Sequence, residues 1–316
     1  SNVHNTNLFG NTFLYIKKSG FQIINDNSKK FFKDDPKFIS SNLSNEIKKI
    51  SKINKLFKPN LFIVLGDRYE MLAGAVTAIP FNIPVIHFYG GAITEGAIDE
   101  LVRHSITKMS HFHFVAHESY KKRLIQMGEE PWRIKNIGIK NIEFLKKQKK
   151  LNISKLKKIL KIDLGYPTAL VTFHSTTLEY NYLDYQINSL LKALKKTKMQ
   201  IIFSYPNADR GFSKIIKNIR KFASRYKKRS KIIKNCSTRL YSNLLNNCTV
   251  MVGNSSSGIV EAMSFNLPVV NIGPRQAGKV KPDNIIESDY HYLSIYKSIM
   301  RAKSKKFRKK IEKRKN

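Results

Sequence analysis

Six apolar runs in this chain end in residues that can do chemistry. "LFIVL" leads into "GDRYE" (66–70), "PVIHF" into "YGG" and "TEGAIDELVRH" (94–104), and "TALVTF" into "HSTT" (174–177). "QIIFSY" leads into "PNAD" (206–209), "TVMV" into "GNSSSG" (253–258), and "PVVNI" into "GPRQAG" (273–278). Ligands of open parallel sheets sit beyond the carboxyl ends of the strands, so these polar tips are where a site is expected. The most unusual tip is "GNSSSG", which precedes a helical pattern starting at Ile259, Val260 and Glu261. Gly and Ser at a strand-to-helix turn let backbone N–H groups and hydroxyls approach a phosphate at the positive end of a helix beginning near Ser256. A plain serine helix cap is the alternative. Arg275, after the next strand, can bring a guanidinium to the same anion. Asp99 and Arg103 are four apart on a predicted helix and share a face, as a site pair or as a surface ion pair. Asp67 either faces a ligand or caps the helix that follows it. His111 and His113 alternate in a strand pattern and read as structural.

The apolar runs are continuous rather than alternating, which implies sheets covered on both faces. Amphipathic helical segments lie between them, such as Ile47, Ile50, Ile53 and Leu56. That pattern is parallel α/β architecture with right-handed crossovers. With 316 residues, 41% of them hydrophobic, the chain has material for two domains. The lysine-rich stretch 146–161 reads as the junction. It divides a first domain over 1–148 from a second over 149–290, and 291–316 reads as a solvated basic tail.

Lys and Arg number 58 against 22 Asp and Glu, a formal net charge of +36. The lysines fall on outer helix faces without interleaved aromatics, so no specific nucleic-acid partner is expected. The basic tail is the segment suited to an anionic surface. Two cysteines, Cys236 and Cys248, fit a reducing, cytoplasmic compartment better than a disulfide framework. No membrane span is expected, because the most apolar region, 71–89, is broken by Pro80, Asn82 and Pro84. No secretory leader pattern is present at the start of the sequence. No zinc-ligand spacing or paired aspartates for magnesium appear, so the expected chemistry needs no cofactor and no metal.

Five stretches occur in order over roughly residues 60–286: "GDRYEMLAGA", "GGAITEGAIDELVRHSITKMSHFHFVAHESYKKRLIQMGE", "SYPNADRG", "GNSSSGIVEAMSFNLPVVNIGPRQAGK" and "KPDNII". Together they resemble the hydrolysing UDP-N-acetylglucosamine 2-epimerases, including those of the sialic acid and legionaminic acid pathways. The resemblance implies two Rossmann-like, doubly wound parallel-sheet domains in the glycosyltransferase type B arrangement, with a nucleotide sugar in the interdomain cleft. It implies UDP contacts from Arg68, His174, Asn207, Ser255, Ser256, Glu261 and Arg275, with Glu261 as the ribose acceptor. An ordinary carboxylate offsetting a helix dipole is the alternative for Glu261.

The implied reaction is elimination of UDP followed by hydration, which releases a free sugar inverted at C2. It needs an acid, a base and a group directing water. Asp67, Asp99, Glu100 and His174 are the candidates, supported by Arg103 and His87. A homodimer is expected. Two departures stand out. Gly90 and Gly91 are followed by Ala92 where many members carry glutamate, and Tyr89 stands where some relatives have glutamate. The sequence also opens at "SNVHNTNLFGNTF", so the first domain is expected to lack its opening strand. A glycosyltransferase of the same fold, or an impaired or non-catalytic UDP-sugar binder, are the alternative functions.

Overall fold

The computed structural model describes residues 13–18, 20–24 and 35–313. They divide into two compact units. The smaller comprises Asp35–Lys140 with Ala277–Lys279, and the larger comprises Asn141–Gln276 and the described residues from Val280 onward together with those that precede Asp35. The chain therefore passes between units at Lys140–Asn141, ahead of the lysine-rich stretch expected to hold the junction. That stretch belongs to the larger unit because Leu156 and Leu160 bury into its core while the lysines around them face outward.

After a short helix α1 (Phe13–Lys17), α2 (Pro36–Phe57) begins the smaller unit. Asp35 caps α2, its carboxylate accepting from the Phe38 N–H at 2.8 Å, and Pro36 supplies a preset φ at the first turn. There follow β1 (Phe62–Leu65), α3 (Tyr69–Ala78), β2 (Val85–Phe88), α4 (Asp99–Lys108), β3 (Phe112–Val115), α5 (Glu118–Gln126) and β4 (Ile134–Asn136). The strands pair in parallel in the order β1-β2-β3-β4. Phe21–Ile24 has no regular structure. The opening of the chain, where a first strand was expected to be lacking, lies largely outside the described residues.

The larger unit contains α6 (Lys140–Lys146), α7 (Ile153–Leu160), β5 (Thr168–Thr172), α8 (Leu183–Thr197), β6 (Gln200–Ser204), α9 (Phe212–Arg225), β7 (Ser230–Ile233), α10 (Thr238–Asn247), β8 (Val250–Gly253) and α11 (Ser256–Val260). It continues with β9 (Val269–Ile272), β10 (Ile285–Ser288), α12 (Tyr292–Lys303) and α13 (Lys305–Lys313). Its six parallel strands run β10-β9-β8-β5-β6-β7. Strands are added on one side of β5 as far as β7 and on the other side from β8, so the order reverses between β5 and β8. In such sheets that reversal opens a crevice at the carboxyl ends of the two strands.

Both faces of this sheet are covered, which explains the unbroken apolar strands. On one face Ala169, Val171, Ile201 and Phe203 pack with α8, α9 and α12; on the other Leu170, Ile202 and Met251 pack with α7 and α10. The expected basic tail is corrected here. Residues 292–313 form α12 and α13, which bury Ile295, Ile299, Ala302, Phe307 and Ile311. Phe307 and Ile311 are four apart, so one narrow apolar stripe docks α13 despite its surrounding lysines.

Cys236 and Cys248 are free, and burial pushes both thiols up to about 12, so they remain protonated. Among the described residues, no helix is long and apolar enough to cross a membrane.

Candidate functional site

The crevice between β5 and β8 is built from backbone and amides. Gly253 ends β8 at φ 140°, and a Cβ there would run into the Thr172 carbonyl oxygen. Glycine is needed because the backbones of β5 and β8 converge at this point. One residue later, Asn254 turns its fully buried amide across the gap. Its Oδ1 accepts from the His174 N–H at 2.7 Å, and its Nδ2 donates to the His174 carbonyl at 2.9 Å. The backbone of His174, 5% exposed, is thereby held on both sides.

The ring of His174 is oriented as well. The Asn207 N–H donates to Nδ1 at 2.9 Å. A ring accepting through Nδ1 carries its proton on Nε2 when neutral, a tautomer assigned from that hydrogen bond. Asn207, expected as a ligand contact, thus contributes its backbone to His174 while its side chain lies in an exposed position. Arg275, 4% exposed, donates from one terminal nitrogen to the Asn254 carbonyl at 3.3 Å and lies 3.9 Å from the Asp209 carboxylate. Gln276 donates to the same carbonyl at 2.8 Å. Three polar atoms here are enclosed without a hydrogen-bond partner: Ser175 Oγ, Arg275 Nε and Gln276 Oε1. Buried groups of this kind cost about 1–3 kcal/mol each unless something satisfies them, so they mark a place suited to a polar ligand.

The serines divide their work. Ser255 is the N-cap of α11, its Oγ accepting from the Ser257 N–H at 3.4 Å. Ser256 is exposed. Helix α11 is a single turn of five residues, so its dipole is small. Glu261 follows it, accepting from Ser257 Oγ at 2.6 Å and from Asn141 Nδ2 at 2.7 Å.

In the smaller unit the candidate residues gather at the carboxyl ends of β1 and β2. Arg103 is 2% exposed and turns inward. Its guanidinium grips the Asp67 carboxylate through two nitrogens, with Nε at 3.1 Å, and also donates to the Ala92 carbonyl at 2.6 Å and to Thr94 Oγ1 at 2.9 Å. Glu100 accepts from the Thr94 N–H at 2.6 Å. Asp67, Arg103, Glu100 and the 92–94 loop therefore form one connected polar cluster. Arg68, 27% exposed, lies 3.5 Å from the buried Glu70 carboxylate, and Asp99 is half-buried at the start of α4.

His87, expected in support of the candidate acid and base groups, lies below them. It is wholly enclosed, with Nε2 donating to the Gly66 carbonyl at 2.9 Å and Nδ1 3.2 Å from Thr107 Oγ1. Burial above all lowers its pKa to about 4, so at neutral pH it is an uncharged strut beneath the Gly66–Asp67 turn. Arg103 is likewise enclosed and acts through Asp67 and the loop. His113 is a structural residue, paired with Glu129 at 3.2 Å, and Lys108 completes that pair at 2.6 Å. Among the described residues, no three His, Cys, Asp or Glu side chains are grouped to hold a metal ion.

Sequence reasoning quoted Asn254 and Ser175 but assigned them no role, and it passed over Tyr241 and Asn141. The only signal was the Asn that follows Gly at the end of a strand. Asn141 and Glu261 lie 120 residues apart, and no local pattern joins them.

Two parallel-sheet α/β units, the larger reversing strand order over a polar crevice, define a protein of the two-unit, Rossmann-like α/β class. The chain superimposes on the crystal structure of UDP-GlcNAc 2-epimerase from Neisseria meningitidis bound to UDP-GlcNAc with a TM-score of 0.73, covering 92% of this chain and 78% of that one at 18% identity. The family described as UDP-N-acetylglucosamine 2-epimerase matches residues 2–316, and the chain belongs to it. A GDP/UDP-N,N'-diacetylbacillosamine 2-epimerase (hydrolyzing) of Campylobacter jejuni is 37% identical over 301 residues, 95% of this chain and 78% of the relative. A UDP-N,N'-diacetylbacillosamine 2-epimerase (hydrolyzing) of Legionella pneumophila is 35% identical over 303 residues, 96% of this chain and 80% of the relative.

Proposed function

We propose that this chain is a hydrolysing 2-epimerase that converts a UDP-linked 2-acetamido sugar and water to UDP and the free sugar inverted at C2. The observation that carries the reading is the β5–β8 crevice, where enclosed Ser175, Arg275 and Gln276 atoms lack partners beside an oriented His174. Of these atoms Ser175 Oγ and Arg275 Nε can donate to a diphosphate, as can the Nε2 proton of His174, while Gln276 Oε1 can only accept from a ligand hydroxyl or N–H. Ser255, Ser256 and the adjoining backbone N–H groups complete that end, Glu261 accepts the ribose hydroxyls, and Arg68 and Asn207 are further nucleotide contacts. The relatives in Campylobacter and Legionella support a diacetylbacillosamine-type sugar.

In the reaction, a base removes the C2 proton while the C1–O bond to UDP breaks, leaving a C1–C2 double bond. Water then adds its oxygen at C1 and a proton returns to the opposite face of C2. Asp67, Asp99, Glu100 and His174 divide the proton transfers and the direction of water. Arg103 anchors the Asp67 carboxylate for this task through one oxygen, Oδ2, which accepts from both Nε and a terminal nitrogen of the guanidinium.

The enzyme works in the cytoplasm as a homodimer in this reading. The exposed Phe112–Trp132 aromatic pair on the smaller unit, ring centroids 6.1 Å apart, supports self-association, which light scattering on purified protein checks. Incubation with UDP-N-acetylglucosamine and with its diacetylbacillosamine counterpart in deuterium oxide tests the whole. One of them should yield UDP and a free sugar deuterated at C2. If neither substrate yields UDP, or the released sugar keeps its C2 proton, the reading is wrong.

A further inference from the structure

Both oxygens of the Glu261 carboxylate are already engaged by the chain itself. Ser257, one turn earlier, donates to Oε2, and Asn141 donates to Oε1. With its proton directed at the carboxylate, Ser257 Oγ must receive the hydroxyl of Tyr241, with which it is in direct contact. Burial first, and the Glu261 charge second, raise the Tyr241 pKa far above that of a free phenol, so the tyrosine keeps its proton and serves as donor. The result is a one-way chain from Tyr241 to Ser257 to Glu261, with Asn141 fixing the other oxygen.

We propose that Tyr241, Ser257 and Asn141 are positioning residues. They set the Glu261 carboxylate to receive two hydroxyls on adjacent carbons, the ribose diol of a nucleoside diphosphate, so that the site selects ribonucleotides over 2'-deoxyribonucleotides. The inference rests on the nucleotide reading above and adds to it the source of sugar selectivity. A carboxylate offers roughly four lone-pair directions, two on each oxygen. The internal donors occupy one on each, which leaves one on each for a ligand, and a vicinal diol supplies two donors side by side. The terminal torsion of a glutamate is broad and roughly two-fold, so without the Ser257 and Asn141 bonds the carboxylate would turn and offer no fixed pair. The three residues act through Glu261 and not on the ligand.

Calorimetry with UDP and 2'-deoxy-UDP, on the full chain and its variants, tests this. The unaltered protein should bind UDP about tenfold or more tightly over the deoxy form, the value of one hydrogen bond to a charged group. Ser257→Ala should bring that ratio to within about threefold, mainly by weakening UDP. Tyr241→Phe, which removes only a hydroxyl, should fall between, and Ser257→Thr, which keeps the hydroxyl, should restore the ratio. A merely structural role would weaken both nucleotides together and leave the ratio unchanged, so a preserved ratio in both Ser257→Ala and Tyr241→Phe overturns the proposal. Equal binding of both nucleotides by the unaltered protein overturns it while leaving the nucleotide reading intact. No binding of UDP at all overturns both.

Discussion

Asn254 grips the main chain of His174 from both sides, accepting from its N–H at 2.7 Å and donating to its carbonyl at 2.9 Å. The two residues end neighbouring strands on either side of the point where the larger sheet reverses its strand order. One side chain thus joins the two strand ends that form the crevice. Asn254→Ala would leave two buried backbone groups unpaired and should lower the stability of the larger unit by about 2–4 kcal/mol. Asn254→Asp keeps the acceptor, loses the donor and sets a negative charge beside a diphosphate. It should therefore lose proportionally more UDP affinity than stability. Urea unfolding and calorimetry on the two variants separate these effects.

Asp67 and the enclosed Arg103 form a pair in which one partner cannot be removed cheaply. Arg103→Met removes the partner of a carboxylate that is 30% exposed and releases the 92–94 loop, so the smaller unit should lose about 1–3 kcal/mol, the cost of leaving polar groups unsatisfied. Asp67→Asn combined with Arg103→Met should recover much of that stability without recovering UDP release. Activity returning along with stability would show that Asp67 has no part in the chemistry.

The enclosed His87 should make the smaller unit sensitive to acid. Its pKa in the folded protein is about 4, below the unfolded value of 6.5, so the unfolded chain takes up the proton first. The stability is fully present above about pH 6.5 and is lost as pH falls toward about 4. His104 and His113 are shifted in the same direction, chiefly by burial, and deepen the effect. Thermal unfolding followed from pH 7.5 to 5 should show the transition falling, and His87→Gln should flatten that slope. An unchanged slope in the variant would remove His87 as its source.

Helix α13 should carry stability out of proportion to its composition. Phe307→Ala and Ile311→Ala should each cost about 2–5 kcal/mol, the range for emptying a well-packed core position. A solvated tail would give no change in unfolding midpoint, so the result separates a docked helix from a free one.

How legible the molecule was depended on the range of the interactions involved. The polar tips after the apolar runs stood out because strand ends in parallel sheets follow from local pattern, and Gly253, Asn254 and Arg275 all lie on such tips. That His87 is enclosed beneath the Gly66–Asp67 turn was not legible, because a histidine in a strand gives no local sign of whether it faces a ligand or the interior. Helix α13 was missed because two apolar residues among many lysines suffice to dock a helix only when a receiving surface is already there.

By itself the sequence determined the parallel α/β class, the family motifs and the positions where chemistry can occur, since periodicity and strand-end composition are properties of neighbouring residues. The tertiary structure alone decided that Arg103 turns to Asp67, that Asn254 bridges to His174 across 80 residues of chain, and that Tyr241, Ser257 and Asn141 converge on Glu261. Hydrogen bonds between distant segments depend on how the sheet orders its strands, and that order leaves no mark on any single stretch of chain.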